Sequence, residues 1–337
     1  MKATLKKLTA VIVCAVSLIL TGCAEKEFRA TVFAMDTVMQ LTVYGKDDSA
    51  IAPCREVIAE TEQMLSATDE NSVTSALNRG ETVTAPQEFL KLVENCRYYS
   101  GITGNAFDIT AYPIVKLWGF TTGEYRVPSA DEISGAVSKV GLGGIDVSGE
   151  TVSLKSGTEI DFGAVAKGYL GDRIRDILVR EGVKSAIIDL GGNITVIGKN
   201  RGRDWVIGIE MPSKDESGLA GTVSVSDVSV VTSGCYRRFF EDNGKVYGHI
   251  MDPKTGYPAE NGLISVTIVS ENAEMADAFS TGLYVAGLDK AQEIWRETGG
   301  FEAIFITDDN TVYITEGLSD CFTLNKNYSE KLVIIKK

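Results

Sequence analysis

The sequence predicts an α+β fold: mixed, largely antiparallel sheets with helices packed on them. Three observations predict it. Apolar residues recur at helical spacing in some stretches and at every second position in others. The two kinds of stretch do not alternate strictly, as they would in a doubly wound chain. No regular repeat, low-complexity tract or clear linker divides the 337 residues, which suffice for a large core.

The amino terminus reads as an address. Lys2, Lys6 and Lys7 precede an apolar run over residues 8–20, too short for a comfortable membrane span. The run ends in Leu20-Thr21-Gly22-Cys23, small residues before a cysteine, which resembles a bacterial lipobox. The expectation is a lipoprotein signal peptide over 1–22, with Cys23 as the lipidated, palmitate-bearing first residue. Residues 23–29 then read as a polar tether and 30–337 as one folded unit. The protein is expected outside the cytoplasm, held to the cell membrane (an inner membrane, where there are two) through the lipid anchor only.

Hydrophobic content of 44% and charged content of 23% are those of an ordinary globular protein. Removing the three leader lysines takes the formal charge from −13 to −16, which argues against nucleic acid or anionic lipid as a partner for a basic face. A pyrophosphate can still be held by a local cation or a metal. Cys54, Cys96, Cys235 and Cys321 show no zinc-like spacing. Cys54 and Cys96 fall on apolar helical faces and read as buried thiols, and disulfide pairing stays open.

Taken in order, 30–44 reads as a strand interrupted at Met35-Asp36-Thr37. Apolar or small residues at 54, 57, 58, 61, 64 and 65 predict a helix over 51–65. Phe89, Leu92, Val93, Cys96 and Tyr99 mark a second. A Gly- and Asp-containing loop follows around 100–110. A helix is expected near 131–140, with short strands at 145–147 and 152–154. Another helix opens after Asp161, with Leu170, Ile174, Ile177 and Leu178 on one face. A strand then ends in Asp189-Leu190-Gly191-Gly192-Asn193. Further strands are expected at 205–210, 222–230, 263–269, 302–306 and 311–314, and helices at 273–285 and 290–298.

Four local patterns bear on chemistry. The only histidine, His249, stands in His249-Ile250-Met251-Asp252-Pro253-Lys254-Thr255-Gly256-Tyr257-Pro258. Alone, that string serves equally as a turn with an exposed imidazole or as a site. The run from Asp161 to Gly168 puts a carboxylate, small residues and Lys167 at a helix entry, where backbone N–H groups favour anions. It lacks Walker A spacing and fits a plain strand-to-helix turn as well. Asp277 and Thr281 are i,i+4 on one helix, so their hard oxygens share a face suited to Mg²⁺; a helix Asp and a back-bonding Thr explain them too. Thr232-Ser233-Gly234, followed by Arg237 and Arg238, reads as a turn whose arginines would meet a phosphate or carboxylate.

As an ordered set these strings say more. Met35-Asp36-Thr37, Gly104-Asn105-Ala106-Phe107-Asp108-Ile109-Thr110, Leu117-Trp118-Gly119-Phe120, the 160–168 stretch, Leu190-Gly191-Gly192-Asn193, Thr232-Ser233-Gly234, the histidine string and Ala276-Asp277-Ala278-Phe279-Ser280-Thr281 together closely resemble the ApbE family, over roughly 30–320. Members of that family are FAD:protein FMN transferases of bacterial cell envelopes. The resemblance implies an ApbE-like, T-fold-related single catalytic unit. It implies FAD as substrate and Mg²⁺ as cofactor, with FMN moved onto a Thr or Ser of a partner flavoprotein and AMP released. The acceptor would be an Rnf-type or sodium-pumping quinone-reductase-like subunit.

By the same resemblance Met35, Thr68, Asn78, Ala106, Phe107, Asp108, Asp161, Lys167 and Met251 contact FAD. Ala164 offers a backbone carbonyl to the metal, beside the side chains of Asp277 and Thr281. His249 and Lys167 are the catalytic candidates, the first as base and the second as a cation on the phosphates. The chain departs from the family at Ser66-Ala67-Thr68, where Ser-Thr-Tyr is common, at Asp36, where Gly is common, and at Cys235, where Asp is frequent. The missing aromatic keeps a second reading open: a pyrophosphatase splitting FAD to FMN and AMP. A flavin-storing or flavin-presenting lipoprotein is the third.

Overall fold

The computed structural model describes residues 26–212, 218–236, 238–329 and 331–337. The leader 1–22, Cys23 and Arg237 lie outside the described residues. In chain order the strands are β1 (Lys26–Ala34), β2 (Thr37–Gly45), β3 (Val83–Thr84), β4 (Ile145–Ser148), β5 (Thr151–Leu154), β6 (Ser185–Leu190), β7 (Asn193–Ile197), β8 (Trp205–Glu210) and β9 (Leu219–Val225). They continue with β10 (Ser229–Gly234), β11 (Phe239–Asp242), β12 (Lys245–Gly248), β13 (Leu263–Ser270), β14 (Glu302–Thr307), β15 (Val312–Thr315), β16 (Phe322–Leu324) and β17 (Leu332–Ile335). The helices are α1 (Ile51–Leu65), α2 (Val73–Asn78), α3 (Gln87–Ile102), α4 (Tyr112–Leu117), α5 (Ala130–Val137), α6 (Ala166–Arg180), α7 (Ala273–Ala286) and α8 (Leu288–Thr298).

Among the described residues the central sheet has nine strands in the order β1-β2-β6-β7-β10-β13-β14-β15-β17. Its neighbours pair antiparallel except β15 and β17. This is the mixed, largely antiparallel α+β architecture expected, of which the hydrophobic periods predict the α+β class. Alternation along β14 shows how the layers form. Ala303 and Phe305 face one core with α3, α7 and α8, while Ile304 and Ile306 face the other, closed by β8, β9 and β16. Helices α1 and α6 pack their apolar stripes on β1, β2 and β6.

Two boundaries depart most from the sequence reading. Lys26 to Arg29, expected in the tether, pair with β2 from Gly45 to Thr42, because the same alternation that buries Ala30 and Ala34 runs back to the strand's start. The strand expected over 222–230 is two strands, β9 and β10, broken where Asp227 takes a positive φ of 56°. The interruption at Met35-Asp36 is a two-residue hairpin turn with φ of 49° and 56°.

Positive φ at both central residues defines a type I′ turn, which suits glycine at the second position. Asp36→Gly is therefore expected to raise stability by about 0.5 kcal/mol, the relief of left-handed strain outweighing the greater freedom of an unfolded glycine. A thermal melt that falls or stays level would contradict this.

Candidate active site

A cavity of about 530 Å³ gathers residues from the β1–β2 turn, the loops around α4 and α6, the end of β10, the histidine string and α7. Met35, Thr68, Ala106, Phe107, Asp108, Asp161, Ala164, Lys167, His249, Met251, Asp277 and Thr281 all line it. Asn78 does not. Its amide donates to the Ile160 carbonyl at 2.9 Å and accepts from the Ile160 N–H at 2.8 Å. Both ends of that side chain are used in holding the segment that presents Asp161, so Asn78 positions the loop and does not touch a ligand through them.

The centre of the site is the junction of two helices. Val165 precedes α6 and has no side chain able to cap it. The cap comes from α7: Asp277 Oδ2 accepts from the Gly168 N–H at 2.8 Å. The approach requires glycine, because a Cβ at 168 would lie 2.2 Å from the Ala273 carbonyl oxygen and 2.6 Å from Asp277 Cβ. One turn along α7, Thr281 Oγ1 is 3.1 Å from Ser233 Oγ, which also meets Ser280 Oγ at 2.8 Å. A carboxylate, a hydroxyl and the backbone of Ala164 thus border one space beside Lys167. These are hard oxygen donors of the kind Mg²⁺ takes together with substrate phosphates and water. Among the described residues no group of three or more His, Cys, Asp or Glu could hold a metal without such help. The donor set fits a metal shared with a phosphorylated ligand.

The histidine faces the same space. Its Nδ1 lies 3.1 Å from the Arg238 carbonyl, which also accepts from the His249 backbone N–H at 3.1 Å. A carbonyl can only accept, so Nδ1 carries the proton of the neutral ring and Nε2 keeps its lone pair. Burial, then the charges of Arg238 and Lys167, push the ring's pKa from 6.5 down to about 4, against the opposing bond to the Arg238 carbonyl. Within the string, Asp252 organises the turn: its carboxylate accepts from the Lys254 N–H and the Thr255 hydroxyl, and its carbonyl from the Gly256 N–H. Trp118 Nε1 donates to the Gly256 carbonyl at 2.9 Å, which ties the Leu117-Trp118 motif to the histidine string.

Two further carboxylates of the cavity are tuned by burial. Asp108 caps a short 3-10 turn by accepting from the Thr110 N–H and hydroxyl, and burial outweighs those bonds to raise its pKa. Burial likewise raises Asp161, opposed by the Gly163 N–H and by Lys167 and Arg238. Phe107 is 1% exposed and packs edge-on to Tyr99, so most of its ring belongs to the core.

The cavity also contains residues the sequence did not single out. Glu62 Oε1 accepts from the Met35 N–H at 2.6 Å and steadies the left-handed turn. Tyr112 stands on the Ala67-Thr68 loop, and burial pushes its hydroxyl up to about 12. Nothing in the sequence marks Glu62, which looks like any polar helix position. Ser233, Arg238 and Asn193 lay in noted strings but only the fold shows which of their neighbours they meet.

The ApbE family profile matches residues 35–305. A curated FAD:protein FMN transferase of Klebsiella pneumoniae is 31% identical over 287 residues, covering 83% of this chain and 89% of its own. One of Treponema pallidum is 33% identical over 320 residues, 88% of each. The crystal structure of the ApbE protein of Thermotoga maritima superposes with a TM-score of 0.81 at 30% identity, covering 91% of this chain and all of that one. The flavin transferase ApbE of Vibrio cholerae does so at 0.79 and 27% identity, covering 88% and 99%.

Proposed function

The chain belongs to the ApbE family, and from that premise we propose that it transfers FMN from FAD to a Thr or Ser hydroxyl of a partner flavoprotein, forming a phosphoester and releasing AMP. The observation that carries the reading is the meeting of His249, Lys167, Asp277 and Thr281 around one cavity. These are the groups a phosphoryl transfer needs: a base, a fixed cation and hard oxygen ligands.

In this reading His249 Nε2 takes the proton of the acceptor hydroxyl as its oxygen bonds to the FMN phosphorus. The bond from that phosphorus to the bridging oxygen breaks, and AMP leaves with the oxygen. The Arg238 carbonyl holds the ring in the tautomer that can do this and supports the cation formed. Lys167 and the start of α6 face the phosphates with positive charge. Mg²⁺, held by Ala164, Asp277 and Thr281, would supply charge neutralisation on the pyrophosphate. Met35, Asp108, Asp161 and Met251 bind and orient the flavin portion. The lipobox at Cys23 supports an extracytoplasmic, lipid-anchored enzyme, and the family resemblance an Rnf-type or sodium-pumping quinone-reductase-like acceptor.

One observation favours a second reading. Thr68 brings no ring to the cavity wall where an adenine would stack, and FAD hydrolysis by water would use the same base and metal. Incubation with FAD, Mg²⁺ and an acceptor subunit separates them. FMN mass on the acceptor supports transfer, AMP with free FMN alone supports hydrolysis, and yellow protein with neither product leaves only binding.

The pH dependence is a further test. kcat/KM reports the free enzyme, where His249 stays neutral until about pH 4. The rate should therefore cross 6.5 without an imidazole step on acidification. An acid limb centred at 6.5 would contradict the assigned environment. The same sign holds for stability: the folded value lies below the unfolded one, so His249 costs stability progressively as pH falls from 6.5 toward 4.

A further inference from the structure

Asn193 opens β7 and is 6% exposed, yet its Nδ2 has no hydrogen-bond partner. It lines the cavity. Among the described residues, Tyr169, Ser265 and Glu302 also carry buried polar atoms without partners, and none of the three lines the cavity. A buried donor without an acceptor is destabilising, so its persistence at this one lining position points to a partner that arrives with the ligand.

The fold shows what it would meet. Helix α6 turns back into β6, and β6 pairs antiparallel with β7, so β7 runs in the direction of α6. A Cβ at Gly171 of α6 would lie 3.1 Å from Thr195 Oγ1. Asn193 is two residues before Thr195 and shares its face of the sheet, which sets it beside the preceding turn of α6, where Lys167 and Gly168 stand. On its other side β7 pairs with β10, Asn193 against Val231, two residues before the Ser233 that meets Thr281. The backbone there is fixed on both sides, by the Gly191-Gly192 turn, whose Gly192 N–H donates to Asp189 at 2.9 Å, and by β10.

We propose that Asn193 is a catalytic residue whose carboxamide N–H donates to a phosphoryl oxygen of the bound dinucleotide and holds the negative charge that gathers there as the pyrophosphate bond breaks. This rests on the reading of the cavity as a pyrophosphate-cleaving site. A fixed neutral donor beside Lys167 stabilises such charge without adding a second cation to be desolvated.

The test uses the whole protein with FAD and Mg²⁺, following AMP release, which transfer and hydrolysis share. Asn193→Ala is expected to lower kcat by about 10²-fold. Its ligand-free melting temperature should hold or rise, since no protein bond is lost, while the rise in melting temperature on adding FAD shrinks. Asn193→Asp keeps the shape but opposes the phosphate, and should be slower still. Asn193→Ala turning over like wild type overturns the assignment, as does Asn193→Asp outperforming Asn193→Ala, which would mean the carboxamide oxygen does the binding. A ligand-free protein destabilised by both substitutions with kcat intact would mark a structural residue. Wild-type protein that releases no AMP overturns the site reading and the assignment together.

Discussion

Asp277→Ala is expected to reduce AMP release from FAD on the order of 10³-fold and to lower the melting temperature as well. Two losses combine because the side chain has two roles. One carboxylate oxygen accepts from the Gly168 N–H at 2.8 Å and ends the otherwise uncapped α6. Removing it leaves a buried donor unpaired, at about 1–3 kcal/mol. In the proposed function the carboxylate would also be the charged member of the metal-ligand set. Asp277→Asn separates the roles, since its amide oxygen can still accept from Gly168 while the negative charge is gone. That variant should melt near wild type, yet require far more Mg²⁺ and turn over slowly. Asp277→Asn with wild-type Mg²⁺ dependence would remove Asp277 from the metal site.

His249→Ala is expected to lower kcat by about 10²–10⁴-fold, the range for loss of a general base, with little change in FAD affinity. The ring meets the Arg238 carbonyl through Nδ1 and lies edge-on to Phe120, and the residue lines the cavity. In the proposed mechanism the ring acts on the acceptor hydroxyl and does not hold FAD in the ground state. Single-turnover AMP release and FAD fluorescence titration would be measured on the same preparation. A variant that loses FAD affinity while turning over normally would show the ring to be a binding group. Partial recovery with added imidazole would support proton transfer.

Much of this site was legible before the fold. The Asp277/Thr281 pair follows from helical period alone, because i and i+4 share a face wherever a helix forms. The single histidine and the Asp-Pro-Lys-Thr-Gly turn were ambiguous alone, and gained meaning only within the ordered motifs that named the family. Helices α1, α3 and α6 lie where their apolar stripes predicted, because each stripe is buried, those of α1 and α6 on the sheet and that of α3 against α7 and Phe162. The short elements were not legible. Helix α2, with six residues, and the β11–β12 hairpin, with four per strand, carry too few periods to declare themselves. Asn78 was read as a ligand contact because residue type and motif order do not reveal where an amide spends its hydrogen bonds.

The sequence by itself determined the fold class, the family and most of the groups that gather at the cavity, since periodicity and residue type are local properties of the chain. Only the tertiary structure decided how those groups meet. It set the carboxylate of Asp277 over the start of a helix more than a hundred residues earlier. It fixed the tautomer of His249 through the Arg238 carbonyl, linked Trp118 to Gly256, and left the Asn193 amide donor buried at the cavity without a partner. Each of these is a contact between distant segments, created by sheet order and helix packing, and no local pattern encodes which distant partner a polar atom will find.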